Sequence, residues 1–225
     1  MIRHVFERVV QSGAAQVIVA TDDERVATAC AGFGAEVQMT SASHLSGTDR
    51  LAEVAARRGW GAAEVVVNVQ GDEPLLPPAL VRQAAGLLGA DPGADVATLG
   101  TPIGSLGEFL DPAVVKVVRR ADGRALYFSR APIPWHREGA AAGLASQTRF
   151  DGAWRHIGLY AYRVGALQRL AAAAPAPLEL VEKLEQLRAL HLGMAIVVGE
   201  AMDVPGPGVD TPEDLERVRA LLRTR

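Results

Sequence analysis

The stretch Val65-Val-Val-Asn-Val-Gln-Gly-Asp-Glu-Pro-Leu-Leu-Pro-Pro78 decides how this chain folds. Its first half is a short, nearly continuous apolar run, the pattern of a strand covered on both faces. The run stops at Gln70-Gly71-Asp72-Glu73-Pro74, and a helical pattern begins at Pro78. In open α/β sheets, ligands sit outside the carboxyl ends of the strands. Asp72 falls there. Gly71 lets a backbone come close to a ligand, and the three prolines turn the chain towards the next helix. Read alone, Asp72 or Glu73 could equally cap a turn.

Outward from this point, runs rich in Val and Ile alternate with helical patterns. Strands are expected at residues 16–21, 35–39, 64–70, 94–101, 114–119, 156–163 and 195–199. Helices are expected at 23–33, 48–58, 78–88, 178–192 and 212–222, and a further helical pattern opens the chain at 4–10. Such alternation implies an α/β fold, with a mixed, mostly parallel sheet between two helical layers. The Ala- and Gly-rich stretch 138–151 reads as a flexible excursion, so one domain over residues 1–225 is expected.

The bulk numbers narrow the function classes. A chain of 225 residues, 49% of them hydrophobic, can bury a proper core. With a net charge of -3 and no long basic run, no nucleic-acid partner is expected. Cys30 is the single cysteine, which excludes an internal disulfide framework and a cysteine-based zinc site, and favours a reducing, cytoplasmic setting. No apolar stretch approaches the roughly 20 residues of a membrane span, and the first residues are unlike a signal peptide. Neither G-x-G-x-x-G, G-x-x-x-x-G-K-[ST] nor G-x-S-x-G occurs.

A second acidic loop lies at Gly206-Pro-Gly-Val-Asp-Thr-Pro-Glu-Asp-Leu215. Thr211 is the expected helix cap, with Pro212 in the first helical position and Asp214 completing a capping box. Asp210 is left over. Carboxylates from two separate loops, completed by phosphate oxygens and water, are a usual way to hold Mg²⁺, and Asp72 with Asp210 fits that pattern. Residues 40–50 carry hydroxyls and Gly47 into a helix start, placing N–H groups where phosphates or base edges can be read. N-capping at Thr48 explains the same residues almost as well. On one expected helix Glu182, Glu185 and Gln186 form a polar stripe, and on one expected strand His156 and Tyr160 share a face. Those donors and acceptors would suit a polyhydroxylated ligand.

Taken together, six motifs resemble the 3-deoxy-manno-octulosonate cytidylyltransferase (CMP-Kdo synthetase) family in order and spacing. They are Asn68-Val-Gln-Gly-Asp-Glu-Pro74, His44-x-Ser-Gly-Thr-Asp-Arg50, Ala125-Leu-Tyr-Phe-Ser-Arg130 with Pro132-Ile-Pro-Trp135, Arg155-His-Ile-Gly-Leu-Tyr160, Leu184-Glu-Gln-Leu-Arg188 and Pro205-Gly-Pro-Gly-Val-Asp-Thr-Pro-Glu-Asp214. The resemblance implies a Rossmann-like nucleotide-diphospho-sugar transferase fold, a homodimer, and Mg²⁺-dependent coupling of CTP to Kdo with release of pyrophosphate, for lipopolysaccharide assembly. It implies that Asp72 and Asp210 hold the metal. Gln70, Arg130, His156, Tyr160, Glu185 and Gln186 would surround the sugar acid, and Ser46, Gly47 and Thr48 would lie beside the cytidine. The implied dimer surface is Pro132 to Trp135 with the excursion that follows.

The chain also departs from the family, whose members begin with a strand and an Ile-Pro-Ala-Arg loop that grips the triphosphate. Here Met1 matches an internal methionine, so about 30 residues, a strand and its loop, are expected to be missing. Two other readings stay open: a sugar-acid-binding protein without turnover, and a nucleotidyltransferase resembling CMP-sialate synthetase.

Overall fold

The fold is described from a computed structural model, for residues 1–44, 46–140 and 142–223. The opening pattern forms α1 (Ile2–Val10), followed by β1 (Ile18–Thr21), α2 (Glu24–Ala31) and β2 (Glu36–Met39). Next come α3 (Gly47–Arg58), β3 (Val65–Asn68), α4 (Pro78–Ala90) and β4 (Val96–Pro102). The middle of the chain supplies α5 (Leu106–Leu110), β5 (Lys116–Arg119) and β6 (Ala125–Ser129). The last third holds β7 (Trp154–Arg163), α6 (Val164–Ala172), α7 (Pro177–Glu182), α8 (Gln186–His191), β8 (Ile196–Glu200) and α9 (Pro212–Arg223). Among these helices, none is long and apolar enough to cross a membrane.

The main sheet runs β6-β5-β7-β4-β8, with β3 beside the last residues of β7. β7 is antiparallel to β3, β4 and β5, whereas β4 and β8 are parallel. Thus β3, β4, β5 and β8 point one way and β6 and β7 the other, giving the mixed sheet that was expected. Helices cover both faces. One core joins Leu167, Leu170 and Leu187 to Val96 and Tyr162; the other packs Leu80, Ala84 and Leu88 of α4 on Ala97, Leu99 and Ala161. Neighbouring residues of β4 enter opposite cores, which is the two-residue period of a strand buried on both sides.

Two expectations are corrected. The single helix expected at 178–192 is broken, because Lys183 adopts a left-handed conformation (φ 54°, ψ 46°) that ends α7. Tertiary contacts override helix propensity there. Glu182 is drawn to the hydroxyl of Ser129 (2.6 Å) and the N–H of Arg130 (2.9 Å), while Leu184 is pulled into the core. The stretch 138–151 is also more structured than expected, with two short 3-10 turns around a buried Gln147 that accepts the N–H groups of Thr148 and Arg149. Ala141 lies outside the described residues.

Among the described residues β1 pairs only with β2, and β3 only with β7, so these strands each keep one unpaired edge there. Between them opens a cavity of about 980 Å³, walled by Ile18, Val19, Val66 and Val67 and roofed by Phe6 of α1. The carboxyl end of β3 leads straight into it.

Candidate active site

The turn after β3 places its polar groups at the mouths of two adjoining cavities. Asp72 lines the larger; Glu73 lines a second of about 430 Å³, and Gln70 lines both. Asp72 Oδ1 is buried and has no hydrogen-bond partner among the described residues. A buried carboxylate oxygen in that state is costly unless a cation or donor reaches it. The loop before α9 approaches the same turn, with Val209 N–H donating to Asp72 O at 2.9 Å. Asp210 follows, exposed, and the expected cap forms at Thr211, whose hydroxyl and N–H both donate to the Asp214 carboxylate.

Negative charge accumulates here. Glu73 is pushed up to about 7, first by burial and then by the charges of Asp72 and Asp210. No group of three or more His, Cys, Asp or Glu residues among those described could form a protein-only metal cage. A carboxylate pair with an orphaned oxygen does suit Mg²⁺, which is commonly held by one or two carboxylates plus substrate phosphates and water.

The sugar-acid candidates divide into those the structure gathers and those it does not. On β7 a register shift opposite Thr98 and Leu99 marks a bulge, and the Thr98 hydroxyl serves the carbonyls of Leu159 (2.7 Å) and Ile157 (3.1 Å) left there. Since that hydroxyl spends its single proton on these carbonyls, His156 Nε2, 2.9 Å away, is the donor to Thr98, and Nδ1 is the acceptor. Desolvation pushes His156 down to about 3, so the ring is neutral at pH 7, able to donate and accept hydrogen bonds but not to act as a cation. His156 and Tyr160 do share a face, their ring centroids 5.2 Å apart, and Phe128 closes edge-on at 5.0 Å. His156 lines the smaller cavity and Tyr160 the larger.

Glu185 lines the larger cavity and joins it to α3: its Oε2 accepts from Thr48 Oγ1 at 2.7 Å, while its buried Oε1 makes no hydrogen bond, with Arg188 3.8 Å away. Thr48 also bonds Tyr162, whose phenol burial raises, as it does that of Tyr160. Thr48 is therefore not the cap of α3. Ser46 is, accepting the N–H of Asp49 at 3.1 Å, and Gly47 is the first helical residue, exposed at the cavity mouth. The preceding Leu45 lies outside the described residues.

Two candidates stand apart. Arg130 lines neither cavity; its guanidinium donates to the carbonyls of Glu182 and Pro112. Gln186 is 8% exposed within α8 and lines neither. Conversely, Tyr162 is not singled out in the sequence, and Asn68 and Glu73 stand there only as members of the motif at the strand end, without a role at the ligand; the structure lines the two cavities with all three. Tyr162 was within reach, being two residues beyond Tyr160 on one strand face.

Residues 1–196 match the family described as "Cytidylyltransferase". A protein of Thioalkalivibrio sulfidiphilus named 3-deoxy-manno-octulosonate cytidylyltransferase is 53% identical over 223 residues, which is 99% of this chain and 88% of that one. The chain belongs to the 3-deoxy-manno-octulosonate cytidylyltransferase family. A member from Alkalilimnicola ehrlichii is 57% identical, over 99% of this chain and 86% of its own. Among solved structures, a CMP:2-keto-3-deoxy-manno-octonic acid synthetase complexed with CTP superposes with a TM-score of 0.87 at 43% identity, covering 99% of this chain and 87% of that one. A 4-diphosphocytidyl-2C-methyl-D-erythritol synthase, at 14% identity and a TM-score of 0.63, shares the fold. Membership of this cytidylyltransferase family makes the chain a nucleotidyltransferase.

Proposed function

We propose that this protein couples CTP to Kdo, giving CMP-Kdo and pyrophosphate, with Mg²⁺ held between Asp72 and Asp210. The orphaned Oδ1 of Asp72 at the cavity beside the strand ends, with the loop that carries Asp210 tied to the same turn by the Val209 N–H, is the observation that carries the reading. When bound, the cation would supply Lewis-acid stabilisation of the charge on the phosphates. The chain's own residues position the reactants. A Kdo hydroxyl attacks the α-phosphorus, the new O–P bond forms as the bond to the β-phosphate oxygen breaks, and positioning supplies most of the rate. Gln70, His156, Tyr160 and Glu185 offer the sugar acid its donors and acceptors; Arg130 and Gln186 reach it only through a rearrangement. Ser46, Gly47 and Thr48 present the start of α3 to the nucleotide. We place the protein in the cytoplasm as a homodimer meeting through Pro132 to Trp135 and the excursion after it, where Trp135 and Leu144 are exposed. Light scattering tests the dimer; a monomeric mass would remove it.

One observation favours a second reading, a sugar-acid binder without turnover. The larger cavity has strand edges for walls, and its basic lining residues Arg50 and Arg82 are already engaged, with Asp22 and Thr40 and with the carbonyls of Gln11 and Ser12. Pyrophosphate release from CTP, Kdo and Mg²⁺ separates the readings, run beside calorimetric CTP and Kdo titrations and with a sialic acid in place of Kdo. Turnover with Kdo supports the enzyme; Kdo binding without CTP binding or turnover supports the binder; preference for the sialic acid overturns the Kdo assignment.

A further inference from the structure

The loop before α9 meets the turn after β3 almost backbone to backbone. A Cβ on Gly206 would lie 2.7 Å from Leu75 Cβ, and one on Gly208 would lie 3.1 Å from Glu73 Oε1 and 3.5 Å from Asp72 O. Leu75 is only 3% exposed, so its Cβ has nowhere to retreat and the loop itself would have to move. Beyond the glycines the main chain is tied down on both sides. The Val209 N–H bonds to Asp72 O at 2.9 Å. The N–H groups of Asp210 and Thr211 donate to the Asp214 carboxylate at 3.3 and 3.0 Å. Both peptides flanking Asp210 are therefore held, while its carboxylate makes no hydrogen bond among the described residues.

Such an arrangement fixes a carboxylate without spending its oxygens. We propose that Gly206 and Gly208 are positioning residues for the carboxylate pair: their missing side chains set how close Asp210 stands to Asp72, and through that distance the affinity for a divalent cation. This rests on the metal reading above. Neither glycine touches a reacting atom.

The test titrates Mn²⁺ into the full chain, following free Mn²⁺ by electron paramagnetic resonance with no nucleotide or Kdo present. Asp72→Asn serves as the reference for a lost site. Gly206→Ala should weaken Mn²⁺ binding by about ten- to a hundredfold, the range found when groups orienting metal ligands are removed. Gly208→Ala should weaken it less, because the atom it meets ends a flexible side chain. Both variants should keep the near-ultraviolet circular dichroism of the parent. Should Gly206→Ala fail to fold, Gly208→Ala decides. Parental Mn²⁺ affinity in both glycine variants, with Asp72→Asn impaired, would overturn the positioning role alone. A parent that binds no Mn²⁺, or is indifferent to Asp72→Asn, would overturn the metal reading and this inference together.

Discussion

Two neighbourhoods of this molecule treat buried charge in opposite ways. Around α7 and α8, Arg188 forms a two-pronged ion pair with Glu179 (2.9 and 2.6 Å) and adds bonds to the carbonyls of Leu170 and Ala173. Burial alone would raise Glu179, but Arg188 and the Ala176 N–H together outweigh it and hold that carboxyl low. Lys116, wholly buried, gives its ammonium to the carbonyls of Asp111, Val114 and Arg130. At the end of β3 the pattern is reversed: among the described residues Asp72 keeps an oxygen without a partner, and Glu73 has no cation to offset its neighbours. Satisfied charge marks where the fold is held together. Unsatisfied charge lies at the turn where the cation is proposed to bind.

That contrast is breakable. The largest effect belongs to Arg188→Met, which strands the Glu179 carboxylate; stability should drop by about 3–5 kcal/mol and the melting temperature by roughly 6–20 °C, read by thermal unfolding. A shift of only a degree or two would mean the pair is no anchor. Next comes Asp72→Asn, where the effect moves from stability to rate: pyrophosphate release should fall about a hundredfold or more, with the melting temperature unchanged or slightly higher. Asp210→Asn should do the same, and a large loss of stability with turnover intact would show it to be a turn residue.

The last effects are in the pH dependence, where the two titrating groups work in opposite senses. Glu73 is raised on folding from 4.5 to about 7, so the folded state binds its proton more tightly, and its contribution to stability falls as pH rises through that window. Glu73→Gln should flatten the fall, measured as urea midpoints at about pH 5 and about pH 8. His156 is lowered from 6.5 to about 3, so stability is lost as pH falls across that window while the unfolded chain takes up the proton. His156→Gln should soften that acid slope. An unchanged slope in either variant would mean the group is as open to water folded as unfolded.

How much of this was legible in the sequence follows the same division. The strand at Val65 to Asn68 announces itself by its apolar composition, although the cover expected on both its faces is incomplete, with Val65 exposed and the rest half-buried along the cavity; the capping box at Thr211 and Asp214 is readable residue by residue. Short elements were not. α5 has five residues, too few for a period, and β6, also five residues long, leaves Leu126 exposed, so its apolar residues do not all mark buried positions. The cap of α3 went to Thr48 because local spacing cannot reveal that Glu185, far along the chain, claims that hydroxyl. Asp210 stands out in the sequence because Thr211 and Asp214 already account for the cap beside it, whereas Asp72 read alone could equally cap its turn and is singled out only together with Asp210. Arg130 was placed at the ligand by likeness alone, and the carbonyls it bonds to come from loops no local pattern connects.

The left-handed residue between α7 and α8 acts as a phase shift. On an uninterrupted helix each residue advances the wheel by about 100°, so Glu182, Glu185 and Gln186 would stack along one face and share one fate. Lys183 resets the wheel after Glu182. Three neighbouring polar side chains are thereby sent to three addresses: one pins β6, one faces the cavity beside α3, and one sinks into the interior. A single backbone torsion has turned a repeating pattern into a division of labour.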